Sequence, residues 1–126
     1  MKKFIKSFKY AFEGIFTGIK KERNMKIHIS IMILVIIFGI LLKINKVEWI
    51  ICITLFGLVI SMELINTAIE NTVDLTKEKN EQAKIAKDVA AGAVLISAIA
   101  AAIIGLMIFV PKISLIYWKF QFFWVW

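Results

Sequence analysis

Three apolar stretches, Ile27 to Leu42, Trp49 to Met62 and Val89 to Val110, limit what this chain can fold into more than any other feature. The last is long enough, at about 1.5 Å per helical residue, to cross a bilayer. Sixty per cent of the 126 residues are hydrophobic and the mean hydropathy is +0.83. That excludes an ordinary soluble domain and points to one integral membrane domain spanning residues 1–126. The net charge of +7 would suit a nucleic acid or an anionic membrane surface, and the apolar stretches favour the membrane. The single Cys52 permits no intrachain disulfide and reads as a small packing residue.

Residues 1–24 read as an amphipathic surface helix. Phe4, Ile5, Phe8, Phe12, Ile15, Phe16 and Ile19 share one face, and lysines with Glu13 occupy the other, the pattern of a helix lying in the membrane interface. Lys6, Lys9 and Glu13 interrupt any signal-peptide core. Glu22 falls on the apolar stripe if this helix continues, so it is either the first residue past a frayed end or one with a task. Membrane helices are expected over 27–42, 49–74 and 86–110, with a polar turn at Lys43 to Glu48 and a loop over Lys77 to Lys84. His28, near the start of the first, reads as an interface residue. Ala93, Ser97, Ala101 and Gly105 repeat every four positions, a stripe that lets helices approach closely. Pro111 is expected to end the third helix. Residues 111–126 then form a tail whose Tyr117, Trp118, Phe120, Phe122, Phe123, Trp124 and Trp126 suit an interfacial anchor.

The chemistry is concentrated in Glu63 to Asp74. No Gly or Pro interrupts this stretch, so it continues the second apolar helix. Glu63, Asn66, Glu70 and Asp74 then fall in a stripe about 80° wide, with Glu63 and Glu70 about 10 Å apart along the axis. Carboxylates stacked in this way repel one another, and ionisable groups at the end of an apolar helix point to a functional site. The alternative is a solvated helix end just past the bilayer. Carboxylates are hard ligands suited to Mg²⁺, which takes one or two of them together with phosphate oxygens. A carboxylate left off the metal can act as a general base. No GxxxxGK[ST], GxGxxG or HExxH is present, so any phosphate would be handled by Lys87, backbone groups and Mg²⁺.

The run Glu63-Leu-Ile-Asn66-Thr-Ala-Ile-Glu70-Asn-Thr-Val-Asp74, followed by Ala86-Lys87-Asp88-Val-Ala-Ala-Gly92-Ala-Val, resembles the signature of the small prokaryotic diacylglycerol kinases, over about residues 3–110. Glu22-Arg-Asn-Met-Lys-Ile-His28 resembles the Gram-positive branch, whose members mainly phosphorylate undecaprenol. The resemblance implies an all-α membrane protein, a surface helix plus three transmembrane helices per chain, assembled as a homotrimer with shared active sites. It implies Glu63 as catalytic base, Glu22 and Glu70 as ligands of Mg²⁺ held with ATP, and Lys87 and Asp88 near the phosphates and nucleotide. Asn66 and Asp74 match polar residues of the same site, and Tyr10 an aromatic near the nucleotide. The 76–79 loop is about one residue shorter than in the best-known branch, which leaves Glu78 open as a nucleotide contact.

The expected activity is transfer of phosphate from ATP to a lipid alcohol, undecaprenol first and diacylglycerol as the alternative. A small oligomeric channel or ion-coupled transporter is the rival, since intramembrane acids and small-residue helices suit that too. It explains poorly why Glu22, Lys87 and the acids gather at one side. Lys and Arg number twelve in the N-terminal segment and second loop against four in the first loop and tail. The N-terminus and the acidic stripe are therefore expected on the cytoplasmic side of a bacterial plasma membrane.

Overall fold

The structure, a computed structural model, describes residues 2–75 and 80–123, with side-chain surroundings for 3–75 and 80–115. It contains four helices in order: α1 Lys2–Lys21, α2 Arg23–Leu41, α3 Lys46–Asp74 and α4 Glu81–Phe123. Stretches Arg23–Leu41, Lys46–Asp74 and Glu81–Leu115 are long and apolar enough to cross a membrane. In lipid, backbone groups must find partners inside the chain, which is why apolar runs of this length become helices. The chain is an all-helical membrane protein, as the apolar pattern suggested.

Helix ends depart from the sequence expectation in ways that matter. α1 stops at Lys21 rather than 24, because Glu22 adopts an extended backbone (φ −90°, ψ 126°) and α2 starts at Arg23. The break is one residue long. Glu22 N–H still donates to the Gly18 carbonyl at 3.0 Å, and the Glu22 carbonyl accepts from Lys26 N–H at 3.4 Å. Glu22 therefore does not continue the apolar stripe of α1; it sits at the joint between α1 and α2. α3 begins at Lys46, where Asn45 and Glu48 close a reciprocal capping box. Lys43, at φ 50°, turns the chain just before it. α4 begins at Glu81, before the expected 86, and runs through Pro111 to Phe123. Proline removes one hydrogen bond to the preceding turn. A membrane helix tolerates that loss because its remaining backbone bonds have no competing water. Glu78 and the side chains of the aromatic tail lie outside the described residues.

α1 carries Phe4, Ile5, Phe8, Phe12 and Phe16 exposed, as an interfacial helix requires. Its inner end is fastened where Gly18 meets Leu64. A Cβ at Gly18 would lie 2.8 Å from Leu64 Cδ2, so any larger residue here requires the end of the Leu64 side chain to shift. The spanning helices run antiparallel. Gly39 of α2 lies under the Trp49 ring of α3, and Lys112 of α4 pairs with Glu48 of α3 at 3.0 Å. That end is closed by a cluster of Ile44, Cys52 and Ile108, packed by Trp49, Phe56 and Ile104. Cys52 is thus a packing residue, as expected.

The small-residue stripe behaves differently from the expectation. Ala90, Val94, Ser97 and Ile108 form the buried face of α4, whereas Ala93 is exposed and a Cβ on Gly105 would meet nothing within 4 Å. Steps of four residues drift about 40° per step, so a strict four-residue repeat leaves a contact face that alternating steps of three and four retain. α2 rests on α3 and barely meets α4. Between them lies an apolar groove of about 470 Å³, bounded by His28, Val35, Cys52, Val59, Ala98 and Gly105 among others.

Candidate active site

The acidic stripe of α3 climbs from the interior of the bundle to its surface. Glu63 and Asn66 are buried, at 2% and 5% exposure, Glu70 is half-buried and Asp74 is exposed. One helical face therefore presents the same chemistry at graded depth. Asn66 Nδ2 donates to Glu70 Oε1 at 3.3 Å, tying the two middle members. Lys87, near the start of α4, donates to Asp74 Oδ1 at 3.0 Å and so closes the outer end. This contact follows from the antiparallel α3–α4 pairing, which sets the last turn of one helix beside the first turns of the other.

Two further groups reach the stripe from α1 and α2. The Glu22 carboxylate makes no capping bond to its own helix, although it occupies the position where one would form. It is half-buried, and with His28 and Glu70 it supplies the field acting on Glu63. His28, from the second turn of α2, places Nε2 at 3.9 Å from Glu63 Oε2, with its side chain 18% exposed. Asp74 and Glu70 supply the field acting on Lys87. Four carboxylates, an imidazole and an ammonium group thus act on one another at one end of the bundle.

Three buried side-chain oxygens there have no hydrogen-bond partner: Glu63 Oε2, Asn66 Oδ1 and Thr67 Oγ1. Leaving a buried acceptor unmet costs about 1–3 kcal/mol each. Two of these are pure acceptors and the third is a hydroxyl, and all three lie on little more than one helical turn, open to a ligand that carries donors or a cation. Among the described residues, no three His, Cys, Asp or Glu side chains close into a metal cage. Mg²⁺ takes one or two carboxylates and completes its shell with phosphate oxygens and water. The donors here are hard carboxylate oxygens, as that ion requires.

Of the residues singled out from sequence, Glu22, Glu63, Asn66, Glu70, Asp74 and Lys87 converge. Tyr10 and Asp88 are exposed, and among the described residues no hydrogen bond or ion pair ties either to the cluster. His28 was expected at the interface and instead faces Glu63. Thr67 carries an unmet hydroxyl that sequence spacing did not single out. The only early sign of His28 was an ionisable residue just inside an apolar run, and nothing local paired it with a residue 35 positions on.

The family model described as prokaryotic diacylglycerol kinase matches residues 9–109. An undecaprenol kinase from Bacillus subtilis is 46% identical over 114 residues, covering 90% of this chain and 93% of that protein. A diacylglycerol kinase from Synechocystis sp. is 41% identical over 109 residues, covering 85% of this chain and 62% of that protein.

Proposed function

Since the chain belongs to the prokaryotic diacylglycerol kinase family, and is thereby a membrane lipid kinase with ATP as phosphoryl donor, we propose that its acceptor is undecaprenol and its product undecaprenyl phosphate. The observation that carries the chemistry is the buried Glu63 carboxylate with an unmet oxygen, at the inner end of a stripe that opens outward to Lys87. Glu63 Oε2 takes the proton of the lipid hydroxyl. The hydroxyl oxygen then bonds to the γ-phosphorus, the bond from that phosphorus to the bridging oxygen breaks, and ADP leaves.

Glu70 and Glu22 hold Mg²⁺ together with the phosphates of ATP. When bound, the ion spreads the negative charge of the nucleotide. Lys87 stabilises the transferring group, for which it exchanges its contact with Asp74. Asn66 keeps Glu70 in place through its amide, and Asp74 holds Lys87 near the site between turnovers. Asp88 and Tyr10 face the nucleotide from outside the cluster. Full enclosure of the site comes from a homotrimer in which subunits share it. The exposed apolar faces of α2 and α4 support such an assembly, since they must meet either lipid or another chain. The N-terminus and the site lie on the cytoplasmic side of the plasma membrane, in keeping with the lysine distribution.

The identity and coverage of the undecaprenol kinase match favour undecaprenol, and the second match keeps diacylglycerol as the other reading. The test is ADP release by purified protein in detergent with Mg·ATP and either lipid. Higher kcat/KM for undecaprenol in the same micelles supports the proposal. A preference for diacylglycerol overturns the acceptor and leaves the kinase. No release with either would favour the channel reading.

A further inference from the structure

We propose that His28 is a substrate-positioning residue, holding the lipid hydroxyl between its Nε2 and Glu63 Oε2 while the hydrocarbon chain lies in the groove that begins at His28. The inference rests on the lipid-kinase reading and adds the acceptor's seat to it. Four observations converge. The 3.9 Å gap from Nε2 to Oε2 is too long for a direct hydrogen bond, and an oxygen admitted between the two as the side chains part would lie about 2.8 Å from both. Glu63 is almost wholly buried, and that same Oε2 has no hydrogen-bond partner. His28 lines the groove between α2, α3 and α4, and its imidazole is the strongest hydrogen-bonding side chain among the described residues of that wall. Gly105, on the same wall, faces open space, so the groove is not already filled by the chain's own packing.

The chemistry at each end of this groove differs. At His28 a hydroxyl donates its proton to Glu63 Oε2 and accepts one hydrogen bond from His28 Nε2–H, which directs a lone pair of the oxygen away from both. Beyond His28 the wall is aliphatic and aromatic apart from the Cys52 thiol. On α4 it runs from Ala98 to Phe109, about 16 Å by helical rise. A chain lying there meets no strong hydrogen-bond donor. An ester carbonyl next to the hydroxyl would be buried unpaired, at a cost that an unbroken hydrocarbon avoids. The occupant that matches is a polyisoprenoid alcohol rather than a glycerol ester.

Full-length protein in detergent, with Mg·ATP and polyprenols of short and long chain, tests this. His28→Ala should lower kcat/KM for the alcohol about tenfold to a hundredfold while leaving KM for Mg·ATP unchanged. His28→Gln, which keeps a donor at the same reach, should recover part of the loss. Gly105→Leu should lower kcat/KM for the long polyprenol at least tenfold and spare the short one, because the new side chain fills the groove away from the reacting end. The proposal is overturned if His28→Ala keeps wild-type kcat/KM, or if Gln restores nothing. It also fails if Gly105→Leu treats both lengths alike or disperses the oligomer, since a second copy would then be the occupant. Wild-type protein that phosphorylates neither polyprenol removes the acceptor on which the inference rests and leaves the kinase, which separates the two failures.

Discussion

Glu63→Gln and Glu70→Gln should damage the protein in different ways. The two positions are about 10 Å apart along α3. One Mg²⁺ holds its ligand oxygens at about 2.1 Å, so oxygens on one ion lie no more than about 4 Å apart. A single ion is therefore not expected to take both side chains. Glu63→Gln keeps the shape of a side chain that is 2% exposed and removes its charge. Turnover should fall about 10²–10⁴-fold, with Mg·ATP binding retained and no rescue by added Mg²⁺. Stability should move the other way. A buried carboxylate carries a desolvation penalty of several kcal/mol. It is also repelled by Glu70, by about 1.7 kcal/mol at 10 Å and an effective dielectric of 20. Against these stands its attraction to a charged His28 at 3.9 Å, about 4 kcal/mol on the same scale. The sum leaves the Gln variant at least as stable as the parent in detergent. Glu70→Gln keeps an oxygen for Asn66 Nδ2 and loses the carboxylate proposed to hold Mg²⁺, so KM for Mg·ATP should rise and excess Mg²⁺ should restore part of the rate. Initial rates across a Mg²⁺ titration, ATP binding and thermal melts of both variants provide the comparison. A melting temperature that drops several degrees in Glu63→Gln would make Glu63 a structural counter-ion of His28. Rescue of Glu63→Gln by metal, with none for Glu70→Gln, would exchange their roles.

Other outcomes follow from the same geometry. Lys87→Met should lower kcat/KM at least a hundredfold, while stability changes by less than about 1 kcal/mol, since its partner Asp74 is largely exposed; a melt shift matching the activity loss would make the pair structural. Gly18→Leu should destabilise the protein by about 1–3 kcal/mol and reduce activity, because it drives α1 away from Leu64, the neighbour of Glu63, whereas Gly18→Ala asks only the end of one Leu side chain to move. Equal effects of the two would show that α1 is not seated there. A reporter fused after Trp126 should be active outside the cytoplasm, and activity only inside would overturn the topology and the span count together.

Much of the site could be read along the chain, and the reason is local. A helix of fixed period places Glu63, Asn66, Glu70 and Asp74 on one face whatever else the protein does. Lipid admits helices where soluble chains have choices, so the apolar runs alone require spanning helices. The long acidic signature also identified the family, which the matches to known kinases bear out. Helix boundaries were less legible. Glu22 breaks the helix because α1 must leave the interface as α2 enters the bundle, and no local preference of glutamate requires that. Pro111 failed to stop α4 because the usual penalty, measured against a hydrated alternative, changes when lipid is the surrounding medium.

What sequence by itself determined, then, is the set of helices, their polar faces and the kind of chemistry that a carboxylate stripe beside a lysine can do. The tertiary structure decided depth and partnership: Asn66 buried and Asp74 exposed on one face, Glu22 turned toward α3 without capping α2, and His28 set against Glu63 across 35 residues. Those relations depend on how far antiparallel helices slide past one another. That offset is set by contacts such as Gly18 on Leu64 and Gly39 under Trp49, made between residues remote in the chain. Periodicity says which residues share a face; only packing says which faces meet, and at what height.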